Sequence, residues 1–273
     1  MDDVVVIGGG IIGAATAYFL SKEGRKVKVI ERDPTYKTAS FPLSLGGFRR
    51  QFFQKENILL GKFAREFIFQ IPELLKTEKN PNPTASMVTN GYLLMFGPEH
   101  AEEQYRALEN HKECDAGTKN IKGSELSKVF PYVNSEGIET ATYTDNQSEG
   151  WIDPFMFHSA LKSKAIELGA EFIKGEVKSI SEINAKTIVS AAGCWTKELL
   201  EASSTSLRSS EESESITRSV AARTSAERGA SASSAISPKY SPSRSTATTI
   251  ISAVTTSALP RRRKYMLVPY SPL

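Results

Sequence analysis

Six residues near the N-terminus constrain this chain more than any other feature: Gly8-Gly9-Gly10-Ile11-Ile12-Gly13. Before them, Asp3 to Ile7 is a short, β-branched apolar run that predicts a buried parallel strand. After them, Ile11 to Glu23 predicts a helix with Ala15, Tyr18, Phe19 and Leu20 on or near its inner face, and Gly24 stands where a helix C-cap glycine belongs. Lys26 to Ile30 predicts a second strand through Val27, Val29 and Ile30. Strand, glycine turn, helix and strand form the βαβ unit of a doubly wound parallel sheet. In a G-x-G-x-x-G turn the first glycine (Gly8) permits the bend and the second (Gly10) admits a pyrophosphate. The third (Gly13) lets helix and strand pack closely, and the phosphate rests on the helix N-terminus. The pattern alone also occurs in plain glycine turns; the strand, helix, second strand and Glu31 together give it meaning. Glu31 ends the second strand, where a carboxylate accepts hydrogen bonds from both ribose hydroxyls. A 2′-phosphate would be repelled there, which disfavours NADP and leaves NAD and FAD.

The 273 residues allow one large domain or two modest ones, and 40% apolar content suffices for a core. No stretch approaches the roughly 20 apolar residues that span a bilayer. Val4 to Ile12 holds three glycines behind two aspartates, the wrong shape for a signal peptide, and no Arg-rich presequence precedes it. Cys114 and Cys194 make no disulfide framework and fit a reducing compartment. His100, His111 and His158 are far apart with no metal-ligand spacing, so no metal is expected. The net charge of +3 misleads: residues 202–258 carry six basic and four acidic residues, and Arg261, Arg262, Arg263 and Lys264 add four more cations, leaving residues 1–201 at −3. A mildly acidic body gives no basic face for nucleic acid.

Further along, Arg32 to Gly47 reads as a loop. Glu56 to Lys76 predicts one long helix bearing Ile58, Leu59, Phe63, Phe67, Ile71 and Leu75 at helical spacing. Gly91 to Phe96 and Glu139 to Thr144 predict strands around a polar helix, Glu99 to His111. Pro154 to Leu168 predicts a helix capped by Asp153. Glu171 to Ile173, Val177 to Ile180 and Thr187 to Ala192 predict short strands, and Trp195 to Leu200 begins another helix. Phe52, Phe53, Phe63, Phe67 and Phe69 are expected in the core, and Glu149 and Asp153 are expected to be structural, a turn and a cap. Of the 57 residues from Ala202 to Ala258, 36 are Ser, Thr or Ala and Tyr240 is the only aromatic, so this stretch is expected to be disordered. Lys264 to Val268 again looks like a piece of strand.

The segments beyond the βαβ unit decide between NAD and FAD. Glu31-Arg32-Asp33-Pro34-Thr35-Tyr36, Ser44-Leu45-Gly46-Gly47, Gly91-Tyr92-Leu93-Leu94, Phe130-Pro131, Glu149-Gly150-Trp151-Ile152-Asp153-Pro154 and Ala191-Ala192-Gly193-Cys194-Trp195 occur in this order. The set resembles the D-amino-acid oxidase-like family of FAD-dependent amine oxidoreductases, which includes sarcosine and dimethylglycine dehydrogenases and glycine oxidase. The resemblance covers residues 1–201 and, faintly, Pro260 to Leu267. It implies an α/β fold: a Rossmann-like FAD-binding domain with a parallel sheet (1–50 and about 154–201) and an incomplete α+β substrate domain (about 51–153). A disordered segment (202–258) and a strand-like stub (259–273) would come after them. It implies FAD as cofactor, with Gly8, Gly10 and Gly13 at the pyrophosphate, Glu31 at the adenosine ribose and Arg32 beside the adenine. Ser40, Ser44, Gly46 and Gly47 would run beside the pyrophosphate and flavin, Val177 would meet the adenine through its backbone, and Ala192 and Gly193 would close the phosphate side. Arg49 and Arg50 come directly after the loop that should face the flavin; each is either a bidentate partner for a substrate carboxylate or part of a solvated basic pair. The implied reaction is oxidation of the CH–NH bond of a small amine or N-methyl amino acid. The members most similar in these motifs are mitochondrial and linked to assembly of respiratory complex I, which implies that compartment, with a cytoplasmic setting as the alternative, and complex I assembly intermediates as partners. Family members continue past the end of this chain, and the compositional break after Glu201 carries the expectation of a truncated, mis-spliced or frame-shifted product. Three readings therefore stand: an oxidoreductase, a non-catalytic assembly factor and an inactive fragment.

Overall fold

The computed structural model describes residues 2–144, 148–207, 249–252 and 268–269. In chain order the elements are β1 (Asp2–Ile7), α1 (Ile11–Lys22), β2 (Val27–Glu31), β3 (Gly47–Phe48), α2 (Lys55–Phe69), α3 (Ile71–Leu74), β4 (Tyr92–Phe96), α4 (Pro98–Glu113), β5 (Lys119–Lys122), α5 (Gly123–Val129), β6 (Thr140–Tyr143), β7 (Gly150–Trp151), α6 (Pro154–Glu167), β8 (Glu171–Lys174), β9 (Ala185–Ser190), α7 (Thr196–Leu207), β10 (Thr249–Ser252) and β11 (Val268–Pro269). They divide into two compact units, residues up to Ala39 with those from Ala165 to Thr255, and Ser40 to Lys164 with the last segment. The divisions fall near 39 and 164 rather than at the expected 50 and 154. The reason lies in pairing: β3 hydrogen-bonds with β7, and Ile152 donates to the Gly46 carbonyl, so residues 40–50 are tied to 149–152.

The first unit is a five-stranded sheet in the order β10-β9-β1-β2-β8, with every pair parallel. β1 lies at its centre, which is why its apolar residues run continuously: Val4, Val5, Val6 and Ile7 are all buried. Helix α1 turns Gly13, Ala14, Ala17, Tyr18 and Ser21 inward, whereas Phe19 is 40% exposed, so the expected inner face is shifted toward small residues. Its end matches expectation: Gly24 and Arg25 donate to the carbonyls of Ser21 and Leu20, the two hydrogen bonds of a Schellman cap. One core cluster joins Val5, Ile7, Ile180, Ala185, Ile188 and Leu199. Residues 177–180 do not form the expected strand; a 3-10 turn over Ile180–Glu182 replaces it, capped by the Ser179 side chain. Part of the Ser/Thr/Ala-rich stretch is ordered into this unit, since α7 continues to Leu207 and Thr249–Ser252 pairs with β9. The rest of the expected disordered segment lies outside the described residues.

The second unit holds an antiparallel sheet in the order β11-β4-β6-β5 and the two-stranded ribbon β3-β7. Leu93, Leu126, Phe130, Val133 and Ala141 form one core cluster, and Ile58, Cys114 and Ala116 another. The expected long helix over 56–76 is two helices. Pro72 has no N–H to give the preceding turn and its ring meets the carbonyl four residues back, so α2 stops at Phe69 and α3 starts again at Ile71. Ile58, Phe67, Ile71 and Leu75 are buried as expected, but Leu59, Phe63 and Phe69 are exposed. Asp153 caps α6, its Oδ1 accepting the Met156 N–H at 2.9 Å. Of the expected strand at 264–268, the described part is Val268–Pro269, paired antiparallel with β4; the remainder lies outside the described residues. Among the described residues no helix is long and apolar enough to cross a membrane.

Candidate functional site

In the first unit the sequence-predicted residues gather at the carboxyl ends of the parallel strands, where ligands bind in open α/β sheets. Gly8 comes after β1 with φ +97, and a Cβ there would lie 2.5 Å from the Ala191 carbonyl oxygen. Gly13 is more restricted still: a Cβ would stand 1.9 Å from the Gly8 carbonyl oxygen. The turn and the helix start are thus packed backbone to backbone. Gly10 is the extended N-cap of α1 and contributes no capping side chain, and the first turn of α1 carries no acid. Its leading N–H groups and the positive end of its dipole are therefore open to an anion, with no acid on the helix's own first turn to take them.

Glu31, at the end of β2, is bound to this loop. Its Oε2 accepts the Gly9 N–H at 2.7 Å and its Oε1 accepts the Asp33 N–H at 2.7 Å. A carboxylate offers about four lone-pair directions, so both oxygens keep capacity for ribose hydroxyls. Tyr36, buried in a left-handed conformation at φ 57, packs under the same loop. Burial first, then the charges of Glu31 and Asp33, push its phenol up to about 12, which keeps it a proton donor. Arg32 is held by stacking, its guanidinium 3.9 Å from the centre of the Trp195 ring and 4.0 Å from Glu176. This contact joins the end of β2 to the turn after β9, a link that sequence reasoning misses because Trp195 is remote in sequence. Val177 and Ala192 are half-buried against the core cluster of the same unit, and Gly193 is exposed at φ +60. The structure thus brings together Gly8, Gly10, Gly13, Glu31, Arg32, Val177, Ala192 and Gly193 in one unit. The arrangement fits the adenosine and pyrophosphate half of a dinucleotide: tight glycines, an uncapped helix start and a carboxylate at the ribose position.

The other predicted residues belong to the second unit. Ser40 stands ahead of a 3-10 turn over Phe41–Leu43. Ser44 uses its hydroxyl locally, donating to the Phe41 carbonyl at 2.8 Å and accepting the Gly46 N–H. Gly46 hydrogen-bonds Ile152, and Gly47 opens β3 directly over the Tyr92 hydroxyl. Arg49 and Arg50 are not a fully solvated pair: both are half-buried, and the Arg49 guanidinium lies 4.7 Å from the Phe52 ring centre. Arg49 Nε is buried without a hydrogen-bond partner. Burial raises the Tyr92 phenol while the Arg49 charge lowers it, which places the two groups in one field. Glu149 is far more than the expected turn residue. It is fully buried and accepts the N–H groups of Arg50 and Gln51, the Gln51 side-chain amide and the Thr144 hydroxyl.

A family model described as FAD dependent oxidoreductase matches residues 3–251. The chain is 38% identical to FAD-dependent oxidoreductase domain-containing protein 1 of Xenopus laevis, over 66% of this chain and 37% of that one. It is 26% identical to monomeric sarcosine oxidase of an Arthrobacter species, over 72% of this chain and 53% of that one. Among solved structures, L-proline dehydrogenase from P. horikoshii superposes with a TM-score of 0.61 at 25% identity, covering 74% of this chain and 55% of that one. The chain therefore spans little more than a third of the frog protein and about half of the other two. Glycine turn, parallel sheet and matched length agree: the chain belongs to the FAD-dependent oxidoreductase family, whose cofactor is FAD.

Proposed function

We propose that the chain carries the FAD-binding half, and part of the substrate half, of an oxidoreductase acting on the CH–NH bond of a small amine or N-methyl amino acid. The carrying observation is Arg49: a half-buried guanidinium in a family of this chemistry, with Nε buried and unpartnered, is suited to a substrate carboxylate. FAD, when bound, supplies the two-electron acceptor. The chain's own residues bind and orient: the α1 N-terminus takes the pyrophosphate, Glu31 the ribose and Arg32 the adenine side. Ser40, Ser44, Gly46, Gly47, Val177, Ala192 and Gly193 line the cofactor in this reading. A free-base amine needs no strong enzymic base for this oxidation, so binding and electrostatics carry the protein's share. The test is flavin bleaching: the purified yellow chain, mixed anaerobically with sarcosine or dimethylglycine, loses its flavin absorbance. Stable colour with every small secondary and tertiary amine tried contradicts the reading.

A second reading comes from the motif resemblance: a mitochondrial factor that engages complex I assembly intermediates. Co-purification of the tagged chain with complex I subunits from mitochondria supports it, and exclusion of the chain from mitochondria overturns it. A colourless chain that does not take up added FAD would instead mark an inactive fragment.

A further inference from the structure

We propose that Glu149 is the positioning residue of the Arg49 site: its buried carboxylate fixes the backbone that presents Arg49. This rests on the reading of Arg49 as the group that takes a substrate carboxylate. Glu149 is fully buried, and a buried carboxylate is costly unless fully hydrogen-bonded. Here it is bonded from four donors. Oε1 accepts the Arg50 N–H at 2.5 Å and the Gln51 N–H at 3.1 Å; Oε2 accepts Gln51 Nε2 and the Thr144 hydroxyl, each at 2.8 Å. Two successive backbone amides thus converge on one oxygen, which sets the direction of the chain just after Arg49.

The residues around Arg49 are fixed from two further sides. Phe48 pairs with Gly150, the neighbour of Glu149, in the β3–β7 ribbon. Helix α2 presents Gly61 to the same backbone, where a Cβ would stand 2.3 Å from the Arg49 carbonyl oxygen. The peptide on either side of Arg49 is therefore determined by the Glu149-Gly150 dipeptide and closed by α2. A solvated arginine pair needs no such support; a guanidinium held to a productive geometry does. Asn110 and His111 extend the hold, bonding the carbonyls of Phe53 and Phe52, the ring on which Arg49 rests.

The test uses the full chain loaded with FAD, with acetate as the carboxylate probe. Arg49 is modified with phenylglyoxal and quantified by peptide mass spectrometry across an acetate series, while amide exchange is read at Arg50 and Gln51. In Glu149→Gln one oxygen becomes a nitrogen that cannot accept and the other loses its charge, so the hold on the Arg50 and Gln51 N–H groups weakens whichever way the amide turns. Exchange at Arg50 and Gln51 should rise about tenfold or more, and the acetate needed to protect Arg49 should rise about tenfold. Thr144→Val removes one bond to the same carboxylate but leaves both backbone amides in place. It should lower thermal stability while keeping acetate protection within about twofold. Should Glu149→Gln fail to fold, Glu149→Asp keeps the charge but is too short to serve both amides and Thr144, and the same losses at Arg49 are expected. The proposal is overturned if exchange and protection are unchanged in the Glu149 variants, or if Thr144→Val loses them equally. If acetate does not protect Arg49 in the unaltered chain, the carboxylate reading of Arg49 fails by itself, and the exchange arm still decides whether Glu149 fixes the segment.

Discussion

Gly13 shows how a single atom decides the site. A methyl group there would lie 1.9 Å from the Gly8 carbonyl oxygen, so Gly13→Ala must push the helix start away from the turn. The expected outcome is a loss of about 1–3 kcal/mol in stability, as in other overpacked positions, together with loss of flavin from the purified chain. Thermal melting and the flavin-to-protein absorbance ratio check both; unchanged flavin content would sink the pyrophosphate assignment. His111 offers a second residue-scale test. Burial pushes its pKa below the ordinary 6.5, against opposing contributions from the Phe52 carbonyl and the Glu149 charge. The unfolded chain takes up this proton as pH falls through 6.5 while the native one resists, so the stability contribution is full above that value and is lost as pH falls further. Melting temperature measured from about pH 8 to about pH 5 should drop on the acid side, and His111→Gln, which keeps a donor for the Phe52 carbonyl, should flatten the drop. An identical acid-side fall in the variant contradicts this role for His111.

Residue-scale legibility divides along sequence distance. Gly8, Gly10, Gly13 and Glu31 gather as expected because the turn, the helix and the carboxylate lie within one βαβ unit. Asp153 could be read as a cap because its partner, Met156, is one turn away. Glu149 could not: its amide partners are 98 and 99 positions distant, and nothing local distinguishes a hub carboxylate from a turn residue. Arg32 and Trp195 meet only after β9 has joined the sheet.

At the scale of elements, period alone misplaces faces where packing is unusually close. Helix α1 approaches the sheet on Gly13, Ala14, Ala17 and Ser21 with Tyr18, so the larger Phe19 is left outside. Ala17 is fully buried, and Ala17→Leu should cost about 1–3 kcal/mol and lower the melting temperature by several degrees. A variant as stable as the unaltered chain would show that α1 does not pack as described. In α2 the apolar period continues past the buried face, which is why Leu59 and Phe63 look like core in sequence but are exposed. The break after Phe69 follows from Pro72, but the apolar periodicity running across it made one helix of the sequence. The apolar residues of 177–180 read as a strand, yet Ser179 caps a 3-10 turn there instead.

One unit holds a parallel sheet with the glycine turn, and the other an antiparallel sheet and the half-buried Arg49. The family and the cofactor were legible because the motifs recur in a fixed order along residues 1–201. The boundary between the units was less so, because residues 40–50 pair with 149–152 rather than with their sequence neighbours. Part of the Ser/Thr/Ala-rich stretch also belongs to the first unit, as the end of α7 and as β10 on the sheet edge, although its composition gives little sign of it. Whether residues of this chain hold FAD is directly measurable. An absorbance spectrum of the purified chain after FAD reconstitution and gel filtration tests it most directly. Flavin bands that co-elute with the folded protein, and disappear in Gly10→Val, are the expected result; a folded, colourless chain that releases all added FAD would contradict it.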